Sequence, residues 1–118
     1  MPFEIYDIDK DTLKTGVEYL NKKFPKFTFA HCYTLTVNLL YAAGVSVEGE
    51  EPSSSTVAMQ YAVARRSNLK KNSFSKTTFN FMIDTMKDFG IKRTSQCMDI
   101  VRELLRVVEA PKHCFDKI

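Results

Sequence analysis

Apolar side chains recur along most of this chain at intervals of three and four residues, the spacing of a helix with one buried face. The alternation typical of strands is almost absent. The exception is residues 45–47, which could form a short extended piece and pair with residues 5–8. The pattern therefore predicts an all-α fold, a single-domain bundle of about five helices over residues 1–118.

Five helices are predicted, at about 11–24, 30–43, 54–67, 75–89 and 95–109. Short polar residues are expected to begin four of them, all but the second, and Pro or Gly follows four of the five ends. Residues 112–118 are expected to form a loose tail. The predicted inward positions are Leu13, Val17, Leu20 and Phe24; Val57, Tyr61 and Ala64; Phe79, Met82, Ile83 and Met86; and Met98, Val101, Leu104, Leu105 and Val108.

The helix near 30–43 differs from the other four because it is apolar on nearly every side. A helix without a polar face belongs in the middle of a bundle, so we place it at the centre. Asp9 or Asp11 is the expected cap of the first helix, and Ser53, Ser54 or Ser55 of the third. Gly44 fits a left-handed stop after the central helix.

Bulk composition excludes several classes of protein. Hydrophobic residues make up 44% and charged residues 26% of the 118, which excludes a disordered or fibrous chain. The most apolar stretch, residues 29–47, is broken by polar side chains and predicts no membrane span. Three cysteines, at 32, 97 and 114, are too few and too irregular for a disulfide framework. They favour a reducing compartment, cytoplasmic or nuclear.

Positive charge is concentrated in one window. Residues 65–93 hold eight Lys or Arg against two Asp, whereas residues 1–64 hold five against eight Asp or Glu. Such asymmetry indicates an anionic partner. We therefore predict a non-enzymatic binding module that neutralises nucleic-acid phosphates, mostly without reading sequence. The predicted contacts are Arg65, Arg66, Lys70, Lys71, Lys76, Lys92 and Arg93.

A second interpretation is a helical adaptor or regulatory protein, in which the basic window steers an acidic protein partner. Self-association is compatible with it. The alternative without any binding function is that the basic window is a solvated helix end, since Arg65 and Arg66 would also complement the negative C-terminus of a helix. Residues 84–106 resemble a helix-turn-helix, although Gln96 and Asp99 fall where its second helix should be apolar.

Two histidine–cysteine pairs, His31-Cys32 and His113-Cys114, together with Cys97, raise the question of zinc. Adjacent residues on a helix point about 100° apart and make a poor chelate, so we expect no metal and no cofactor. Cys32 is expected to be a small buried core residue.

Residues 31–45, HCYTLTVNLLYAAGV, resemble the cysteine-bearing helix of NlpC-type cysteine peptidases. That resemblance implies a cysteine hydrolase with Cys32 as nucleophile and a histidine on a strand as its base. His113 is the one histidine after Cys32, and no strand is predicted around it. Hydrolysis is therefore the remote alternative, and a protein that is not an enzyme is the main expectation.

Overall fold

Helices and one short parallel sheet build the fold in the computed structural model, which describes residues 6–54, 57–59, 80, 83–87 and 90–110. Three helices are described over their full lengths: α1 (Lys10–Lys23), α2 (Phe29–Ala42) and α5 (Thr94–Val107). Two more are described in part, α3 at residues 57–59 and α4 at residues 80 and 83–87. The predicted all-α fold with five helices is confirmed.

Polar side chains cap α1 and α3 as the sequence predicts and also cap α2, whereas α5 begins after Arg93 without a side-chain cap. The Asp9 carboxylate accepts the Thr12 backbone N–H at 2.8 Å and caps α1. Thr28 accepts the His31 N–H at 3.2 Å in the same way at α2. The Ser54 hydroxyl oxygen accepts the Val57 N–H at 3.3 Å and so fixes the start of α3. Each cap satisfies a backbone donor that the helix itself leaves without a partner.

The two extended pieces pair as a parallel ribbon. Strand β1 (Tyr6–Ile8) lies beside β2 (Val45–Val47), with Tyr6 opposite Val45 and Ile8 opposite Val47. Parallel strands need a long connection, and here α1 and α2 supply it. Gly44, with φ of 88°, turns the chain from α2 into β2. The pairing that the sequence left open is observed, and the predicted stop at Gly44 is confirmed.

Helix α2 lies at the centre of the described core, as its all-round apolar pattern predicts. Every residue from Leu35 to Tyr41 on it is buried, and it packs against both α1 and β2. Two polar side chains on it are satisfied locally. The Thr36 hydroxyl donates to the Cys32 carbonyl at 2.6 Å, and Asn38 bonds to the Ser53 hydroxyl at 2.9 Å. The central helix therefore buries polar groups without leaving them unpaired.

Helix α5 packs against α1 with a face rotated slightly from the predicted one. The sequence predicts Met98 as an inward residue, but Met98 is only half-buried. Cys97 and Ile100 are each about 99% buried. The buried face runs through positions 97, 101, 104 and 108, at intervals of four, three and four residues. The sequence pattern instead began this face one residue later, at Met98.

Candidate functional site

Two of the seven predicted basic contacts can be located in the structure. Lys92 and Arg93 lie immediately before α5, and both are exposed. The other five lie outside the described residues: Arg65, Arg66, Lys70, Lys71 and Lys76. The predicted tail at 112–118 also lies outside them. The site is therefore built around the turn that leads into α5.

A tight turn fixes the position of Lys92 and Arg93. Gly90, with φ of 88°, donates its N–H to the Lys87 carbonyl at 2.9 Å. The Ile91 N–H reaches back to the Met86 carbonyl at 3.1 Å. These two bonds form a Schellman motif, which ends α4 as predicted and requires a left-handed residue that glycine supplies best. Ile91 is 4% exposed, so its side chain packs into the core and holds the turn in place, while the two cations after it lie at the surface.

A groove of about 400 Å³ lies beside this turn. Its floor is apolar: the Phe24 and Phe27 rings stack with centroids 5.7 Å apart and planes 28° apart. A Cβ atom built on Gly90 would lie 4.0 Å from Phe27 Cζ, which shows how closely the turn approaches the ring. The residues that line the groove are Lys23, Phe24, Pro25, Lys26, Phe27, Gly90, Ile91 and Gln96. We call it the basic groove.

The segment between α1 and α2 holds the other wall in place. The Phe24 N–H donates to the Leu20 carbonyl at 2.8 Å, and the Phe27 N–H donates to the Phe24 carbonyl at 3.0 Å. Asn21 Nδ2 donates to the Phe27 carbonyl at 3.1 Å. Pro25 prevents α1 from continuing, because proline disfavours a helical residue before it. The result is a pinned turn with Lys26 exposed at its tip.

The electrostatic character of the basic groove is positive. Lys23 and Lys26 are exposed on one wall, and Lys92 and Arg93 follow the lining residue Ile91 on the other. Among the described residues, no Asp or Glu lines it. Helix α5 begins there with no acidic residue in its first turn and no side-chain cap, so its N–H groups add to the positive potential.

Lys87 extends this positive region toward α5. Burial raises the pKa of the Cys97 thiol, and the Lys87 ammonium partly opposes that rise, which places its charge near the start of the helix. Lys87 itself is exposed. Lys87 therefore adds positive charge beside the start of α5.

The sequence prediction missed the wall formed by Lys23, Phe24, Lys26 and Phe27. It treated residues 22–24 as the end of a helix and Pro25 as its stop. A signal was present: KKFPKF at residues 22–27 interleaves cations with aromatic rings, the composition of a phosphate-and-base surface. What the sequence could not supply was the packing of α1 against α5, which sets this segment beside residues 90–96.

Cys32 is placed as a core residue. Its side chain is 0% exposed, and its Sγ lies 3.6 Å from Asn21 Nδ2. The neighbouring His31 is exposed. His113 and Cys114 lie outside the described residues. A nucleophile has to meet its substrate, and a thiol enclosed on all sides by packed side chains gives a substrate no access in this conformation.

No group of three or more His, Cys, Asp or Glu in the described part of the chain is arranged to hold a metal ion. Cys97, the second cysteine in that part, is buried like Cys32, and both are free thiols. In the same residues, no helix combines the length and the apolar character needed to cross a bilayer.

No protein-family model, curated protein or solved structure matches this chain. The cysteine peptidase resemblance of residues 31–45 therefore gains no support from relatives. What remains to indicate function is the chemistry of the surface: a positive groove with an aromatic floor at the α5 end of the molecule.

Proposed function

We propose that this protein is a non-enzymatic module that binds single-stranded nucleic acid in the basic groove. One observation supports the proposal above the others. Lys23 and Lys26 line a groove that also holds the stacked Phe24 and Phe27 rings, and two further cations, at positions 92 and 93, directly follow its lining residue Ile91. Phosphates would pair with the cations and the α5 N-terminus, and a base would lie against the apolar floor.

A single strand suits this geometry better than a duplex. An apolar floor within a groove of about 400 Å³ accepts the face of an unstacked base, which a duplex keeps within its stack. The cations recognise phosphate only, so the expected binding is largely independent of sequence. The basic residues predicted at 65–76 would extend the contact along the strand.

The test is fluorescence-anisotropy binding to short single-stranded DNA and RNA. If Lys23, Lys26, Lys92 and Arg93 neutralise one phosphate each, the affinity should fall about 50-fold between about 50 and 200 mM salt. Failure to bind at the lower salt contradicts the proposal. Binding with a flat salt dependence also contradicts it, because counterion release is the assumed driving force.

Single charge reversals locate the contact. Lys26→Glu and Lys92→Glu should each weaken binding about five- to tenfold at low salt and reduce the salt slope by about 1. The matched control is Lys14→Glu, which reverses an exposed lysine on α1 outside the basic groove. Equal losses in all three variants would indicate a nonspecific effect of net charge. The charge reversal of Lys70 and Lys71 tests the predicted extension in the same assay.

Exposed apolar side chains favour a second candidate, the helical adaptor. Phe29 is 48% exposed and Met59 is 59% exposed, and the Phe29 ring lies 6.4 Å from that of Tyr33. Large exposed apolar side chains are typical of protein contacts, including self-association. The adaptor would be favoured if an acidic protein bound at moderate salt, if Phe29→Ser abolished this binding, and if Lys26→Glu left it intact.

For the cellular compartment we propose the cytoplasm or nucleus. The two described cysteines are buried free thiols, which a reducing environment preserves. A cysteine hydrolase using Cys32 remains the remote alternative, and retention of any hydrolytic activity in Cys32→Ala would dismiss it.

A further inference from the structure

Phe27 contributes its ring to the basic groove from a segment that belongs to neither neighbouring helix. Residues 25–27 lie between the C-cap of α1, Phe24, and the N-cap of α2, Thr28. The Phe27 N–H donates to the Phe24 carbonyl at 3.0 Å, but that bond lies within the turn itself. The position of this turn relative to the helices therefore depends on contacts made from outside it.

The Asn21 side chain supplies such a contact from the last turn of α1. Its Nδ2 donates to the Phe27 carbonyl at 3.1 Å and lies 3.6 Å from the Cys32 Sγ, which also accepts from it. A backbone carbonyl only accepts hydrogen bonds, so the NH2 group of the amide, and not its oxygen, faces Phe27. One amide group thus connects α1, the turn and α2.

Cys32 is a rigid anchor for this connection. Its side chain is fully buried in the core, and its backbone carbonyl accepts the Thr36 hydroxyl at 2.6 Å within α2. Side chains in a close-packed core keep a fixed position. The Asn21 amide is therefore held between an immobile sulfur atom and the Phe27 backbone.

The Phe27 ring has neighbours on two sides that make its position matter. Its Cζ atom lies 4.0 Å from the point where a Cβ atom on Gly90 would stand, and its centroid lies 5.7 Å from that of the Phe24 ring. The ring is half-buried, so part of it stays accessible from the groove. A base can stack only if that accessible surface keeps its place beside the cations.

We propose that Asn21 is a positioning residue of the basic groove: its amide ties the Phe27 backbone to Cys32 and so holds the Phe27 ring where a base can stack. The inference rests on the proposed function and adds to it that the groove distinguishes strands with bases from bare sugar-phosphate chains. The cations contribute to binding of both ligands, whereas the ring contributes only where a base is present.

The test compares the parent protein with Asn21→Leu on two ligands of equal length, a single-stranded DNA and an abasic deoxyribose-phosphate strand. Leucine has a shape similar to that of asparagine but lacks both donors. In fluorescence anisotropy at low salt, the affinity for the base-bearing strand should fall at least about fivefold, since part of the stacking is lost. The affinity for the abasic strand should stay within about twofold, because the cations are unchanged.

Thr36→Val is the matched control. It removes the hydroxyl that bonds to the Cys32 carbonyl, but Thr36 does not line the groove, so both affinities should equal those of the parent. A second measurement needs no ligand. The Gly90 amide resonance should shift in Asn21→Leu, because the Phe27 ring lies beside Gly90, and should stay in place in Thr36→Val.

Several results would overturn the positioning role while leaving the proposed function intact. These are an unchanged affinity for the base-bearing strand in Asn21→Leu, equal losses on both strands, equal binding of both strands by the parent, or an unmoved Gly90 amide. A parent protein that binds neither strand would contradict the proposed function itself, and the positioning role with it.

Discussion

At the residue scale, Glu109 bears the most unusual backbone conformation among the described non-glycine residues. Its φ is 56°, in the left-handed region. Its N–H donates to the Arg106 carbonyl at 3.1 Å, and the Ala110 N–H donates to the Leu105 carbonyl at 2.9 Å. These bonds make a second Schellman motif, at the end of α5, with glutamate where glycine is usual. In the same motif after α4, Gly90 occupies this position. The two turns therefore show glutamate and glycine in the same backbone conformation.

Replacing Glu109 with glycine should stabilise the protein. A left-handed conformation costs a residue with a side chain about 1 kcal/mol more than glycine, so Glu109→Gly should raise the free energy of unfolding by about that amount. Chemical denaturation measures it. The control is Glu18→Gly, an exposed site within α1, where glycine should cost about 1 kcal/mol instead. A loss of stability in Glu109→Gly would show that its side chain has another role.

The Tyr33–Glu50 contact predicts a measurable titration. The Glu50 carboxylate accepts the Tyr33 hydroxyl and raises the pKa of Tyr33 to about 12, because ionised tyrosine would lose that bond and face a negative charge. The folded pKa lies above the unfolded one. The contact therefore stabilises the fold below about pH 10, and this contribution is lost as pH rises toward 12.

Tyrosinate absorbance should show that late titration. Tyr33→Phe should remove it, and Glu50→Gln should move it back toward the ordinary pKa of tyrosine, about 10. A Tyr33 titration near 10 in the parent protein would mean that the hydrogen bond to Glu50 does not form in solution.

At the scale of elements, Gly16 sets how closely α1 approaches α2 and α5. A Cβ atom there would lie 2.9 Å from Leu104 Cδ1 and 3.3 Å from both Thr36 Cγ2 and Val108 Cγ1. Those distances are shorter than a comfortable contact, so the residue is small because two helices meet over it. The helical pattern of the sequence predicts α1 but does not reveal this close approach, since Gly16 reads there only as a weak helix former.

Gly16→Ala should therefore destabilise the protein despite the better helix propensity of alanine. Overpacking of a filled core costs about 1–3 kcal/mol, which outweighs the gain of about 1 kcal/mol in propensity. Lys14→Ala, at an exposed site two residues away on the same helix, should be neutral or slightly stabilising. A thermal melt of both variants decides it, and a stabilised Gly16→Ala protein would contradict the packing of α1 on α5.

At the scale of the whole molecule, the sequence predicted the elements well and the surface only in part. The starts and ends of α1, α2 and α5 lie within two residues of prediction because caps and stops such as Asp9 and Gly44 are local signals. The wall at Lys23 and Lys26 was missed because it becomes part of a groove only when α1 meets α5. Charged residues that are far apart in the sequence come together only through tertiary packing, which the sequence pattern does not show.

That packing gives the described structure two poles. The basic groove, with Phe24 and Phe27 on its floor, lies at the C-terminal end of α1, and a second groove, lined by five carboxylates, lies at the N-terminal end: Asp7, Asp9, Glu48, Glu50 and Glu51. The polarity matches the dipole of α1 itself, which has Asp11 in its first turn and Lys22 and Lys23 in its last. The basic end is the one proposed to bind phosphates.

The most direct test of the central claim is an amide NMR titration of the full chain with a short single-stranded oligonucleotide at about 50 mM salt, where phosphate contacts are strong. The basic groove predicts that shifts concentrate at residues 23–27 and 90–96, fade when salt is raised about fourfold, and leave residues 46–51 unchanged. Shifts absent from both basic segments, or unchanged in Lys26→Glu, would contradict the claim that this groove binds nucleic acid.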